Sequence, residues 1–496
     1  MEQIWSLKYV TQVVFAAALV TASCTSGFEA LNTNSNEPTD VPSRTLLGNV
    51  IVQYARISSN YLGGLFSQHY AQNPYVLEDI YSTTTNLHES IWTNAYQNVV
   101  KNAKIIRQKA IAVNDRNMEA VSEILLAQTF HNLTDIFGDI PYFDAVRLDN
   151  GIATPRYDQQ RDIYIDLLRT LKEASERINT STPIEGDLLF SGDHLRWKKY
   201  ANSLRLRIAM RMSLVDPHRS AREIEEILQS PDKYPLIATN EDNATLQWLG
   251  STPYLEPWYE TYRGDNDNFA VSKTLVDKLA VIQDPRLPVY ATPARSSGTY
   301  VGAVNGPLPQ DVPNRNDVSR IGTYFTANPA GHTRLFTAAE TWLIIAEAAE
   351  RGLTKTVSAS EAYYRGIQAA LTGMGIAWET AAFQPFLAHN EVRYKPGDSS
   401  GNCYRIRLQK WIALYLQGFE AWAEVRRTDV PVLNPAPGTR FPGVHNRPPF
   451  RVLYPDSERD LNATNYLQAR SAAGVLTDAD FFWGKQLWWD KRDAVY

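Results

Sequence analysis

The chain has 496 residues, and its 49 Lys and Arg against 54 Asp and Glu give a formal charge of -5 at pH 7. A charge this mild, without basic clusters, is against nucleic-acid binding, which usually needs a basic surface. Only two cysteines are present, so a chain of this length has to be held by its hydrophobic core. Aromatic residues make up 11% of the chain, and many of them stand in polar, turn-rich segments.

The first residues have the pattern of an export signal. Lys8 precedes an apolar run over residues 13–20. This run is much shorter than the ~20 residues that a helix needs to span a bilayer. We therefore predict a signal peptide over residues 1–23, removed from the mature chain.

A small-residue segment, 21–23, leads directly into Cys24, which is the arrangement that a lipoprotein signal peptidase recognises. Thr21 stands where such signals usually have leucine, and the alternative is an ordinary cleaved signal with an incidental cysteine. We predict that Cys24 carries acyl chains such as palmitate, which would anchor the protein to a membrane. The polar residues 24–42 then form a lipidated spacer, and Cys403 has no disulfide partner.

Helical periodicity begins near Ser43 and recurs through most of the chain. Apolar residues at steps of four, three and four within residues 117–136 and just beyond lie on one helical face. The same patterning predicts helices at about 43–66, 86–112, 117–136, 159–179, 193–214, 337–351, 358–373 and 404–426.

Several of these helices form adjacent pairs with short polar breaks between them. Such pairs predict a mainly α fold of degenerate tetratricopeptide-like helical pairs. Segments rich in Pro and Gly at 230–335 and 427–496 predict an irregular, loop-rich half. Because no linker divides the mature chain, residues 43–496 are expected to form a single domain.

No sequence pattern indicates a catalytic or cofactor site. The eight histidines are scattered singly, without an HExxH or CxxC motif, which is against a zinc site. The glycines in residues 298–306 lack the helix start that a phosphate loop requires. Glu420 and Glu424 are interpreted as ion-pair partners of arginines at the end of their predicted helix. The sequence thus predicts no catalytic residue, no metal and no cofactor.

Two loop segments, at residues 72–83 and 248–266, combine aromatic rings with planar polar side chains. Sugars present an apolar C–H face and a rim of hydroxyls, so this combination suits an oligosaccharide, and a peptide can use the same surface. The alternative is that each ring only pins a loop to the helical half. The candidate ligand-binding residues are Tyr75, Tyr81, Trp248, Tyr254, Trp258, Tyr259, Tyr262, Arg263 and Asp265.

A succession of motifs resembles the SusD/RagB family over about residues 25–470, nearly the whole mature chain. The motifs are Phe-Glu-Ala-Leu-Asn-Thr-Asn at 28–34, Phe-Gly-Asp-Ile-Pro-Tyr at 137–142, Trp-Lys-Lys-Tyr-Ala-Asn-Ser-Leu-Arg-Leu-Arg at 197–207, Asp-Pro-Arg at 284–286, the Ala-Glu pairs within 339–348, and the segment from Gln-Lys-Trp at 409–411 to Arg-Arg at 426–427.

The resemblance implies a non-enzymatic lipoprotein on the surface of a Bacteroidota-type outer membrane. Such a protein captures an oligomeric nutrient and caps a SusC-like TonB-dependent transporter. The shared motifs are expected to be packing elements, and no motif transfers ligand residues to this chain. The scaffold residues implied are Gly138, Asp139, Trp197, Trp411 and Arg427.

Two other functions remain open from the sequence, an exported α-helical glycoside hydrolase and a tetratricopeptide-type protein-interaction scaffold. A hydrolase should lose activity when one of two facing carboxylates is changed, whereas a scaffold should bind a protein and ignore small oligomers. For the binding function, we expect Trp258→Ala and Tyr262→Ala to abolish ligand binding without lowering the melting temperature.

Overall fold

Helices dominate the part of the chain that the structure describes, and this confirms the mainly α prediction. The structure is a computed structural model, in which residues Ser43–Tyr496 form one compact unit. The predicted signal peptide, Cys24 and most of the spacer lie outside the described residues. No described helix is both long and apolar enough to cross a membrane. The described ranges are residues 41–82, 87–264, 267–378, 381–443, 445–477, 482–493 and 495.

The helices follow the predicted segments closely, and a π-helical stretch, Asn94–Val100, joins the third to the fourth. In chain order they are α1 Ser43–Ser58, α2 Leu62–Phe66, α3 Leu87–Thr93, α4 Lys101–Ala112, α5 Arg116–Phe137, α6 Gln160–Arg177, α7 His194–Arg211, α8 Pro217–Gln229, α9 Pro257–Tyr262, α10 Lys273–Val281, α11 Leu287–Tyr290, α12 Thr323–Thr326, α13 Ala338–Glu350, α14 Ala359–Thr372, α15 Gln384–Ala388, α16 Ser399–Ala413, α17 Gly418–Thr428, α18 Asp456–Leu461 and α19 Ala463–Ala472.

Consecutive helices pack on one another, as tetratricopeptide-like pairs do. Helix α4 packs on α5, α5 on α6, α6 on α7 and α7 on α8, and later α13 packs on both α14 and α16. Aspartate side chains start four of these helices by accepting a backbone N–H of the first turn. These caps are Asp115 on α5, Asp193 on α7, Asp216 on α8 and Asp398 on α16.

The irregular half contains only short strands among its described residues. Strands β1 (Tyr70–Gln72) and β3 (Phe269–Val271) pair antiparallel, and so do β2 (Ala244–Gln247) and β4 (His332–Phe336). Side chains hold the connecting loops to the scaffold. The indole of Trp411 donates to the carbonyl of Ser67 at 3.0 Å, and the His69 ring lies 2.9 Å from the carbonyl of Trp411.

Two predicted helices are divided in the structure: the segment 43–66 becomes α1 and α2, and a second segment is divided near the C-terminal end of the scaffold. The segment 404–426 becomes the end of α16 and the start of α17, with a break at residues 414–417 where Leu416 has a φ of 64°. The backbone of Gly418, at the start of α17, touches that of Gly63 in α2. A Cβ at Gly63 would lie 2.5 Å from the carbonyl carbon of Gly418. The break lets α17 cross α2 at a distance that only glycine allows.

Buried ion pairs tie α17 to α13. The Arg427 guanidinium donates to Glu347 at 2.9 Å and to Glu424 at 2.6 Å, with all three side chains fully buried. Burial alone would raise the pKa of Glu347, but Arg427 and Arg407 hold that pKa well below its usual value. Both carboxylates are therefore ionised and depend on their cations.

A second set of buried ion pairs ties α7 to α13 and α17. Arg207 binds both carboxylate oxygens of Glu340, at 2.6 and 2.7 Å, and Arg211 donates to Glu420 at 2.6 Å. The predicted ion pairing of Glu420 and Glu424 is thus confirmed, although Glu420 pairs with α7 rather than with its own helix end. Trp197, Trp411 and Arg427 are buried, as expected for scaffold residues.

We expect Arg427→Leu to lower the free energy of unfolding by about 3–5 kcal/mol, because it leaves two buried carboxylates without their main cation. Urea titration followed by circular dichroism measures this loss. The matched control is Arg169→Leu, which removes an arginine paired with Asp166 and Glu173 at the exposed surface. Its loss should stay below about 1 kcal/mol. Equal losses in the two variants would contradict a structural role for the buried pairs.

Candidate functional site

Two short helices, α9 and α12, pack together in the irregular half and separate two cavities. Helix α9 begins at Pro257 because the Glu256 carboxylate accepts the backbone N–H of Tyr259 at 2.7 Å. Residues four apart on α9 then reach different cavities: Trp258 lines one and Tyr262 lines the other. Both helices contribute to both cavities, so the candidate site consists of two cavities on either side of one helix pair.

The first cavity, which we call the aromatic cavity, has a volume of about 250 Å³. Tyr324 stands at its edge with 48% of its surface exposed. The Arg334 guanidinium lies 5.7 Å from the centroid of the Tyr324 ring and donates to its hydroxyl at 3.3 Å. The lining residues are Ser59, Glu256, Trp258, Tyr324, Phe325, Asn328, Gly331, His332, Thr333, Arg334, Tyr415 and Leu416.

The second cavity, which we call the arginine cavity, has a volume of about 590 Å³. Arg315 and Arg320 share Asp267, with N–O distances of 3.0 and 3.4 Å. The lining residues are Pro74, Tyr262, Asp267, Thr292, Pro293, Arg295, Pro313, Asn314, Arg315, Asn316, Val318, Arg320, Ile321, Thr323 and Thr326.

Glu256 is the acidic group of the aromatic cavity. Burial raises the pKa of Glu256 to about 7, against the lowering effect of the backbone N–H groups of Tyr259 and Trp258. Burial, together with the nearby Arg334, also lowers the pKa of His332. The polar lining of this cavity therefore carries little charge beyond Arg334 at mildly acidic pH.

The structure brings the two predicted aromatic segments together at the arginine cavity. Pro74 of the first segment and Tyr262 of the second both line it, and Asn73 accepts a hydrogen bond from Arg320 at 3.0 Å. Tyr75 follows Pro74 with 67% of its surface exposed. Tyr262 is partly committed to the fold, since its hydroxyl donates to the carbonyl of Phe269 at 2.7 Å.

Three of the predicted aromatic residues lie in the core. Tyr81 is 3% exposed and packs on Phe482 and Trp483, and its hydroxyl accepts the backbone N–H of Ala436. Trp248 and Trp258 are equally buried. A ring without an open face offers no surface for stacking, so burial favours a packing role for Tyr81 and Trp248. Trp258 combines both positions, because it packs in the core and also lines the aromatic cavity.

The remaining predicted residues lie around the site without lining either cavity. Tyr254 is exposed in the turn after Gly250, Tyr259 is half-buried on α9, and Arg263 is exposed beyond the end of α9. Asp265 lies outside the described residues, as does the lipidation candidate Cys24.

The sequence reasoning missed several lining residues, notably Tyr324, Arg334, Arg295 and Arg315. Arg295 lies among the prolines of residues 285–313, and Arg315 follows the last of them. The sequence predicted this segment only as loop. A cation flanked by turn residues was the one available signal, and it is common in surface loops.

A third cavity, of about 480 Å³, lies in the helical half between α4, α5 and α6. Its arginines are paired with acidic neighbours: Arg107 with Glu123 at 2.8 Å, and Arg169 with Asp166 at 2.6 Å. The aromatic and arginine cavities are the stronger candidates, because the two aromatic loop segments contribute residues to their described lining and contribute none to that of the third cavity.

The fold and the site together define a class of protein in which helical pairs support an irregular half with polar, aromatic-edged cavities. A family model described as "Starch-binding associating with outer membrane" matches residues 35–455. The chain belongs to this SusD-like family, which confirms the SusD/RagB resemblance found in the sequence.

Solved structures agree with this assignment. A chitin-binding protein is 28% identical with a TM-score of 0.78, and the match covers 91% of this chain and 100% of that chain. A chitin-binding SusD homolog from Flavobacterium johnsoniae is 25% identical with a TM-score of 0.78, covering 90% and 98%. A SusD homolog from Bacteroides uniformis, 22% identical with a TM-score of 0.79 over 91% and 99%, supports the fold. A search of the curated proteins finds no match.

We expect Glu256→Gln to stabilise the protein above pH 7. The raised pKa means that the folded state resists ionisation, so stability should fall as pH rises from about 4.5 to about 7. Glutamine stays neutral, and it should remove up to ~3 kcal/mol of that fall. Chemical denaturation at a series of pH values measures the difference between variant and parent.

The control for this experiment is Asp398→Asn at the exposed cap of α16. Arg405 lowers the pKa of Asp398, so its contribution is present at neutral pH and is lost as pH falls. Asp398→Asn should therefore destabilise the protein at pH 8, the opposite sign to Glu256→Gln. A Glu256→Gln variant with the same pH profile as the parent would show that folding does not raise the pKa of Glu256.

Proposed function

We propose that this chain is a lipid-anchored surface protein that binds an oligosaccharide at the aromatic and arginine cavities and delivers it to a SusC-like TonB-dependent transporter. The observation that carries the proposal is the meeting of both aromatic loop segments at the arginine cavity, which shares α9 and α12 with the aromatic cavity. Membership of a starch-binding, outer-membrane-associated family and the printed chitin-binding function of two relatives support a glycan as ligand.

The chemistry at the site suits a sugar chain. Tyr324 and Tyr75 present open rings on which the C–H face of a pyranose can stack. Asn328 and Arg334 in the aromatic cavity, and Asn316 in the arginine cavity, offer planar groups for sugar hydroxyls. Rings beside planar hydrogen-bonding groups are the combination that the sequence segments suggested.

Binding is favoured over hydrolysis by the distribution of carboxylates. Most glycoside hydrolases place two carboxylates on either side of the scissile bond. Within the described lining, the aromatic cavity holds Glu256 and the arginine cavity holds Asp267, one carboxylate each. Asp267 is also held in ion pairs with two arginines.

The anchor and the delivery step complete the proposal. Residues 1–23 would direct export, Cys24 would carry the lipid, residues 24–42 would act as a spacer, and residues 43–496 would form the binding domain. A lipid anchor at the N-terminus keeps the binding domain close to a transporter in the same membrane, which raises the effective concentration of captured ligand at the transporter.

We expect Tyr324→Ala to weaken oligosaccharide binding about fivefold, because an aromatic stacking contact is worth about 1 kcal/mol. The double variant with Tyr75→Ala should lose more. A glycan array identifies a bound oligosaccharide, and isothermal titration calorimetry measures its affinity. Both rings are exposed, so melting temperatures should change little.

Tyr404→Ala is the matched control, because Tyr404 is a partly exposed tyrosine on α16 and lines neither cavity. It should bind with parental affinity. Absence of binding on the glycan array, or binding of peptides in place of glycans, would contradict the proposal.

Trp258 differs from these exposed rings, because it packs on Tyr70 and Phe269. Trp258→Ala should therefore also destabilise the fold, which corrects the expectation from the sequence that the melting temperature would not fall.

Lipidation is tested by metabolic labelling with palmitate in a Bacteroidota host. We expect Cys24→Ala to lose the label and to leave the membrane fraction, because one residue provides the whole anchor. Cys403→Ala is the matched control and should keep both the label and the membrane location, since Cys403 is half-buried in α16. Label retained by Cys24→Ala would remove the anchor from the proposal.

A further inference from the structure

The arginine cavity collects more positive than negative charge in its described lining. Arg295, Arg315 and Arg320 stand against a single carboxylate, Asp267. Arg315 and Arg320 both use this carboxylate, at 3.0 and 3.4 Å. Within the described lining, the charged side chains are therefore these three guanidinium groups and one carboxylate.

The three arginines differ in the contacts that they form within the protein. Arg320 is buried and donates to the carbonyl of Phe269 at 2.9 Å and to Asn73 at 3.0 Å, so it is part of the cavity wall. Arg315 donates to Asn268 at 2.8 Å as well as to Asp267. Arg295 is exposed and forms no ion pair with any residue that the structure describes. The guanidinium of Arg295 is therefore available to a ligand.

The positive charges lie close enough to affect one another. Burial lowers the pKa of Arg320, Asp267 raises it, and Arg315 and Arg295 lower it further by repulsion. An anion placed among these guanidiniums relieves that repulsion and gains charge-assisted hydrogen bonds.

The rest of the lining suits the body of a sugar. Pro74, Pro293 and Pro313 present apolar C–H surfaces, and the hydroxyls of Thr292 and Thr323 border the same space. The aromatic cavity differs in composition, because Arg334 is the one arginine of its described lining. Three of the four arginines that line the two cavities thus lie on one side of α9 and α12.

We propose that the arginine cavity selects an oligosaccharide with an anionic sugar unit, bound through a uronate carboxylate or a sulfate ester. The inference rests on the proposed glycan-binding function and adds the charge class of the ligand. Arg295 is the specificity-determining residue, since its guanidinium is exposed and forms no ion pair with any described residue. Neutral units of the same chain would occupy the aromatic cavity.

The test uses the purified full-length chain and matched pairs of oligosaccharides in calorimetry. One pair is tetragalacturonate and its methyl ester, and the other is a sulfated carrageenan tetrasaccharide and its desulfated form. Chitin tetrasaccharide serves as an unrelated neutral ligand. We expect an acidic member to bind about tenfold or more tightly than its neutral counterpart. Raising NaCl from about 50 to about 500 mM should reduce that preference.

Arg295→Gln should remove most of the preference for the acidic member of each pair, because the anion loses its charged partner. Arg459→Gln on the exposed helix α18 is the charge-matched control and should keep the preference. Binding of the uronate or of the sulfate pair identifies which anion is recognised. Equal affinity within both pairs, or a preference that survives Arg295→Gln, overturns this inference while the proposed function stands. Failure of every oligosaccharide, chitin tetrasaccharide included, overturns both.

Discussion

Buried arginine–carboxylate pairs determine how the helices of this protein are positioned against one another. Arg207, Arg211 and Arg427 bind acidic residues from helices that are far apart in the chain. A buried ion without its partner is strongly unfavourable, so each pair tolerates only one arrangement of its two helices. The ion pairs thereby fix the rotation of α7, α13 and α17 about their axes and their positions along those axes. The irregular half, which has few strands, packs on this fixed set of helices.

The fold was largely predictable from the sequence, because long amphipathic helices leave a regular apolar pattern. The division of 404–426 into α16 and α17 was not, since the apolar stripe continues across the break. The break allows α17 to cross α2, which is distant in sequence, so the contact has no local signature. Helix α8 was also missed, although Asp216 and Pro217 form a recognisable helix start.

The site was predictable as a region and not as a set of residues. Both aromatic segments converge on the cavities, yet Tyr81 and Trp248 turn inward while Tyr75 faces solvent. Loop residues alternate between core and surface without a regular period. The presence of aromatic rings in a loop therefore does not show which rings are buried and which are exposed. Tyr324 and Arg295 were missed because a cavity wall assembled from separate loops has no local signature in the sequence.

The glycine crossing between α2 and α17 has a mechanical consequence. A methyl group at Gly63 would lie 2.5 Å from the Gly418 carbonyl carbon, so the two backbones would have to separate by roughly 1 Å to reach ordinary contact. Helix α17 carries Glu420 and Glu424, and α2 leads into β1 and the loop that reaches the arginine cavity. A single carbon added at Gly63 would therefore disturb both the ion pairs and the candidate binding surface. The absence of a side chain at Gly63 thus keeps the helical half and the irregular half in their relative positions.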